Sequence, residues 1–121
     1  MYLTFDTGKN QYNCILNTLA LVDAESVLKT NPINIFVTAE NELPKLNDLL
    51  VILYMSMRKF NHGIKLAEIY DIYDDYIDNG GDFTTLMVFI MNLFEESGIM
   101  KTKKSPENKT DNTEQDTESK N

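Results

Sequence analysis

Six carboxylates lie within one short stretch of the chain, which is therefore the first candidate for a catalytic site. A catalytic carboxyl pair needs two groups in a cleft whose environments push their pKa values apart. No basic residue stands between these six, and helical spacing places most of them on one face. We therefore predict a solvated helix face, with an acidic partner-binding patch as the alternative. The six are Glu68, Asp71, Asp74, Asp75, Asp78 and Asp82.

The segment from Asp78 to Asp82 also invites comparison with a calcium-binding loop. An EF-hand needs acidic or amide ligands at loop positions 1, 3 and 5, a glycine at position 6 and a glutamate at position 12. A loop that starts at Asp75 has Ile77 at position 3, and one that starts at Asp78 has Gly80 there. Both registers fail, so we interpret the segment as a turn between two helices.

The chain has one cysteine and one histidine, Cys14 and His62. A single cysteine cannot form an internal disulfide, and its apolar-leaning neighbourhood without a nearby histidine predicts a packed thiol. One histidine without a neighbouring cysteine does not build a typical zinc site, so we expect a loop residue with a structural hydrogen bond. No phosphate-binding glycine pattern occurs. The sequence predicts no catalytic residue, no metal and no cofactor, and hence no enzyme.

Composition narrows the class of protein further. The length of 121 residues and 42% hydrophobic content suit one domain. The net charge is −8, and residues 1–100 carry the whole excess, with fourteen acidic and six basic side chains. Such a surface repels phosphate backbones, which argues against nucleic-acid binding. The longest apolar run, Leu49 to Met55, is seven residues, whereas a membrane span needs about 20. With no secretory signal visible, we expect a soluble cytoplasmic protein.

The predicted fold is mainly α, with a small N-terminal β-hairpin followed by four to five helices. The hairpin has strands at Tyr2 to Phe5 and Gln11 to Leu16 around a turn at Thr7 to Asn10. The first helix follows an N-cap at Thr18, and Asn31-Pro32 opens a short helical turn. The short helical turn ends at Phe36. The four longer helices are predicted at about Leu19 to Lys29, Pro44 to about Phe60, about Leu66 to Asp78, and Phe83 to about Glu96, the last with Asp82 as its N-cap.

A composition change near Met100 separates two parts of the chain. Residues 101–121 contain no Leu, Ile, Val, Phe or Tyr and hold five acidic and five basic side chains. Such a segment cannot offset the entropy of ordering. We predict a helical domain with its hairpin over 1–100 and a disordered tail over 101–121.

Two predicted helices, those near 44–60 and 83–96, are apolar almost all round and rich in methionine. A domain of about 100 residues has room to hide one face of each helix. We therefore expect surplus apolar surface, used for self-association into a homo-oligomer or as a groove for a partner; ordinary core filling is the alternative. The contact candidates are Leu50, Tyr54, Met57, Met87, Ile90, Met91 and Phe94.

Several segments, taken together in their order and spacing, carry a family resemblance. They are Asn31–Phe36, Leu43–Leu49, Phe60–Ile64, Ile69–Asp82, Leu86 and Glu96–Ile99. Over roughly residues 1–100 the chain resembles the tail assembly chaperones of siphophages and prophages of Gram-positive bacteria. The likeness lies in the whole set, since no single segment is a mechanistic signature.

The resemblance implies a role in virion morphogenesis without catalysis. Such chaperones act in the cytoplasm of the infected host, bind the long helical tape measure protein and keep it soluble. They help to recruit tail tube subunits and are absent from the mature virion. Many also exist in a longer, frameshifted form. Two alternatives stay open: a structural virion component, such as a head–tail joining or tube-associated protein, and a regulator whose carboxylates imitate DNA.

Overall fold

The computed structural model describes residues 1–37 and 42–99. These residues form one two-stranded sheet and five helices, which confirms the mainly helical class and the N-terminal hairpin. The elements in chain order are β1 Leu3–Asp6, β2 Gln11–Cys14, α1 Thr18–Leu28, α2 Asn34–Val37, α3 Leu46–Met57, α4 Glu68–Asp78 and α5 Phe83–Ser97.

The hairpin is fixed by its turn. Strands β1 and β2 pair antiparallel, and the Thr7 amide donates to the carbonyl oxygen of Asn10 at 2.9 Å. The Thr7 hydroxyl oxygen also accepts from the amides of Lys9 at 3.2 Å and Asn10 at 3.0 Å. These bonds satisfy the buried Thr7 side chain, and they place the turn where the sequence predicts it.

Helix caps explain where two of the helices begin. The sequence predicts Thr18 as the cap of α1, but the structure uses Asn17, whose side-chain oxygen accepts from the Ala20 amide at 2.9 Å. The error is one residue, because both residue types are good caps. The cap of α5 is confirmed: Asp82 accepts from the Thr85 amide at 2.8 Å, and the Thr85 hydroxyl accepts from the Asp82 amide at 3.0 Å.

Helix α3 is the centre of the core. It packs against α1, α4, α5 and β2, so its apolar side chains are covered on several sides. The expected surplus of apolar surface on this helix is therefore wrong, and ordinary core filling is correct for it. The buried apolar residues of α3 are Leu49, Leu50, Val51, Ile52, Leu53, Met55 and Met57.

Aromatic contacts join the hairpin to the last two helices. The Phe5 ring centroid lies 4.6 Å from that of Tyr76 on α4 and 5.1 Å from that of Phe89 on α5. The hairpin turn also fits closely against the end of α4, because a Cβ added at Gly8 would lie 2.6 Å from the Cβ of Asn79. Gly8 has a φ of +85°, which favours glycine. The hairpin is thus part of the core rather than an appendage.

The predicted disordered tail, residues 101–121, and the domain boundary at 100 lie outside the described residues and stay predictions. In the part of the chain that the structure describes, no helix is long and apolar enough to cross a membrane.

The central position of α3 predicts a steep cost for truncating its side chains. Leu53 is fully buried, whereas Leu46 on the same helix is 38% exposed. We expect Leu53→Ala to lower the free energy of unfolding by about 2–5 kcal/mol, through lost burial and a residual cavity. Leu46→Ala, the matched control, should lower it by on the order of 0.5 kcal/mol. Urea denaturation followed by circular dichroism measures both, and equal losses would contradict the central role of α3.

Candidate partner-binding site

The single cysteine, Cys14, is buried in the core. Cys14 is fully buried, and its Sγ–H donates to the Tyr12 carbonyl oxygen at 3.5 Å. Burial raises the pKa of Cys14 to about 11, because the thiolate would lose its hydration there. The thiol stays protonated at neutral pH, and the prediction of a packed cysteine is confirmed.

The lone histidine lies at the surface after α3. The exposed His62 donates from Nε2 to the Lys59 carbonyl oxygen at 2.9 Å. This bond ties the turn that follows α3, which confirms the predicted loop histidine with a structural hydrogen bond. Cys14 and His62 therefore do not form a Cys–His catalytic pair, since one is in the core and the other faces solvent.

The carboxylates of α4 and the following turn face solvent, as the helical spacing predicts. Asp75 is partly buried and the others are exposed. Asp82 acts as the cap of α5, a structural task. Across residues 1–37 and 42–99, no group of three His, Cys, Asp or Glu side chains is placed to hold a metal ion. The exposed members are Glu68, Asp71, Asp74, Asp78 and Asp82.

The seven predicted contact residues divide into two groups. The first group is buried in the core and is not accessible on the folded chain: Leu50, Met57, Ile90 and Phe94. Two of these belong to α3, which its neighbours cover, and two lie on the inward face of α5. The second group is partly exposed and comprises Tyr54, Met87 and Met91.

Contacts within the chain already engage Tyr54. Its hydroxyl donates to the Ile64 carbonyl oxygen at 3.2 Å, and the Arg58 guanidinium carbon lies 5.9 Å from its ring centroid. Tyr54 thus holds the segment after α3 against the helix. Its role in the fold explains its partial burial without a partner.

An apolar patch remains on the outer side of α5, formed by Met87, Val88 and Met91, and we call it the α5 face. Positions i, i+1 and i+4 lie within about a third of the helix circumference, so the three side chains are neighbours. Val88 is 48% exposed, and the two methionines are partly exposed. The sequence candidates omitted Val88, although its position between two candidate methionines on one helix was a usable signal.

The chain is thus small, acidic and mainly helical, with a partly exposed apolar face on α5. Over residues 3–120 the chain matches the family of unknown function DUF6096, and it belongs to that family. The match includes most of the segment beyond residue 100. A search of curated proteins and a search of solved structures each found no match.

The raised pKa of Cys14 predicts slow thiol chemistry in the native state. The shift from 9.0 to about 11 lowers the thiolate fraction ~100-fold at any pH well below 9. We expect a disulfide reagent at pH 8 to label native protein at least ~100-fold more slowly than urea-unfolded protein. The pKa of Cys14 is higher in the folded chain than in the unfolded chain. The contribution of the protonated thiol to the free energy of unfolding is therefore complete below about pH 9 and is lost as the pH rises through about 11. Similar labelling rates for native and unfolded chain would show that the thiol is accessible.

Proposed function

We propose that this protein is a non-enzymatic tail assembly chaperone that binds the tape measure protein of a long-tailed bacteriophage. In this role it keeps the tape measure soluble and helps to recruit tail tube subunits during virion morphogenesis. It acts in the cytoplasm of the infected bacterium and is absent from the mature virion. The observation that carries the proposal is the partly exposed apolar α5 face of a chain whose net charge is −8, and the family resemblance of residues 1–100 supports it.

The chemistry of the α5 face suits a helical partner. Methionine side chains are unbranched and polarizable, so Met87 and Met91 can adapt to side chains of different shape along a repetitive partner. Val88 lies between them and is 48% exposed. An amphipathic helix that lays its apolar stripe against these residues would bury its own apolar surface and theirs.

The charge distribution suits the solubilising part of the role. The chain carries a net charge of −8, and α4 presents exposed Asp71, Asp74 and Asp78 to solvent. Several copies bound along a hydrophobic partner would surround it with like charge. Such a coat raises solubility and opposes association between neighbouring complexes.

A capture experiment tests the proposal with a matched pair of variants. Full-length protein is immobilised and challenged with overlapping tape measure fragments at low and high salt; we expect capture that survives high salt. Val88→Asp should weaken capture at least about tenfold, because a charge would be buried in the contact. Val27→Asp on α1 is the control, since Val27 is also 48% exposed, and it should retain capture.

Three outcomes would contradict the proposal or the site assigned to it. Failure of every fragment to bind, together with no gain in soluble tape measure on co-expression, would remove the chaperone role. A stoichiometric amount of the protein in purified virions, measured by mass spectrometry, would favour the structural virion component instead. Equal loss of capture in both valine variants would place the contact elsewhere than on the α5 face.

A further inference from the structure

A second surface lies where the start of α1 meets the end of α3. Its chemistry differs from that of the acidic α4 face. A cleft of about 320 Å³ opens there. Leu19, which is 62% exposed, forms one wall. The cleft combines apolar and polar groups. Its apolar lining comes from Leu19, Ala20 and Met55, and its polar rim from Asn17, Arg58, Lys59 and His62.

Arg58 is held in place at the rim. Its Nη1 lies 2.9 Å from the Oδ2 of Asp23 and 2.9 Å from the Sδ of Met55. Both contacts use the same nitrogen of a group that carries five N–H donors. Within the residues described, the Nε and Nη2 donors have no hydrogen-bond partner, so they remain able to bind a carboxylate.

The rim carries a net positive charge on a chain that is acidic as a whole, because Arg58 and Lys59 outnumber Asp23, the carboxylate paired with Arg58. Lys59 is exposed, and its ammonium lies 5.9 Å from the Phe60 ring centroid, above a flat apolar surface. Consecutive Arg58 and Lys59 are the only adjacent pair of basic residues in 1–100. A basic segment of a partner would be repelled here and attracted to the carboxylates of α4. An acidic segment would be attracted here and repelled by α4.

We infer that this cleft docks an acidic amphipathic helix of a partner protein, and we call it the acidic-helix cleft. An apolar side chain of the partner packs between Leu19 and Met55. A carboxylate one turn away pairs with the unpaired donors of Arg58 and with the Lys59 ammonium. The partner's apolar contact supplies most of the affinity, because exposed ion pairs alone contribute little, while the charges fix orientation and select acidic over basic partners.

The cleft is independent of the α5 face, and the two surfaces would bind segments of different chemistry. The α5 face is apolar and adaptable, whereas the acidic-helix cleft requires a carboxylate. A chaperone with both could hold one protein at α5 and a second, acidic protein at the cleft. The inference about the cleft stands whether or not the tape measure binds at α5.

A peptide titration of the full-length chain tests the inference. The probe is a synthetic helical peptide of about four turns with leucine on one face and glutamate beside it. Two matched peptides replace glutamate by lysine or leucine by alanine. We expect the acidic peptide to shift the amide NMR signals of residues 17–20 and 55–62 and to bind at least about tenfold more tightly than either matched peptide at low salt.

Variants of exposed residues locate the contact. Lys59→Glu should weaken binding of the acidic peptide about tenfold, whereas Lys45→Glu, at the other end of α3, should change it less than about twofold. Leu19→Ser should weaken it about tenfold, while Leu43→Ser should not; Leu19 and Leu43 are 62% and 65% exposed. These four substitutions remove no fully buried side chain, so folding should be preserved.

Other results would overturn the inference. Tighter binding of the lysine peptide would show that the α4 carboxylates dominate recognition. Shifts confined to residues 84–92 would assign the acidic peptide to the α5 face, which would support apolar docking there and remove the cleft. No binding by any of the three peptides would likewise remove the cleft, and it would leave capture of tape measure fragments as a separate question.

Discussion

Helix α3 is buried on several sides, and α1, α4, α5 and β2 all pack against it. Beyond its first turn this apolar helix has little solvent-exposed surface to orient it, so its stability depends on packing against α1, α4, α5 and β2. Even its one buried polar side chain is satisfied, because the Ser56 hydroxyl donates to the Leu53 carbonyl oxygen at 2.6 Å. The Ser56 carbonyl oxygen then accepts from the Ile15 amide at 2.8 Å, which ties the chain after the hairpin to the same helix.

This arrangement decides which groups reach the surface. With α3 enclosed, the chemistry available to a partner comes from the outward sides of the enclosing elements and from the ends of α3. The α5 face is apolar, α4 is acidic, and the acidic-helix cleft at the end of α3 is basic. Under the proposed function, three surfaces of different character would let so small a chain contact more than one partner.

Local signals in the sequence predicted local structure well. The cap at Asp82 marks the start of α5 where the sequence predicts it, and the left-handed Gly98, with a φ of +80°, follows its last residue. The hairpin turn at Thr7 was equally readable. These features depend on a few neighbouring residues and their own hydrogen bonds, which is why pattern alone suffices.

The predictions that failed concern which side chains are buried, because burial depends on residues that are distant in the sequence. Leu50 and Phe94 look like groove residues in an apolar run, yet both are buried because distant elements cover them. Conversely, Leu19 is absent from the predicted contact residues, yet it is 62% exposed. Periodicity cannot orient a helix that is apolar almost all round, so the sides of α3 and α5 could be assigned only from the packed structure.

The position of Phe5 has a consequence for how the chain reaches its native state. Its aromatic partners, Tyr76 and Phe89, belong to α4 and α5, so β1 cannot complete its packing before those two helices are present. Contacts between such distant parts of a chain raise the contact order and slow folding relative to a bundle of local helix pairs. On a translating ribosome, Phe5 therefore lacks its two aromatic partners until α4 and α5 have emerged, and closure of this part of the core follows the synthesis of nearly the whole described fold.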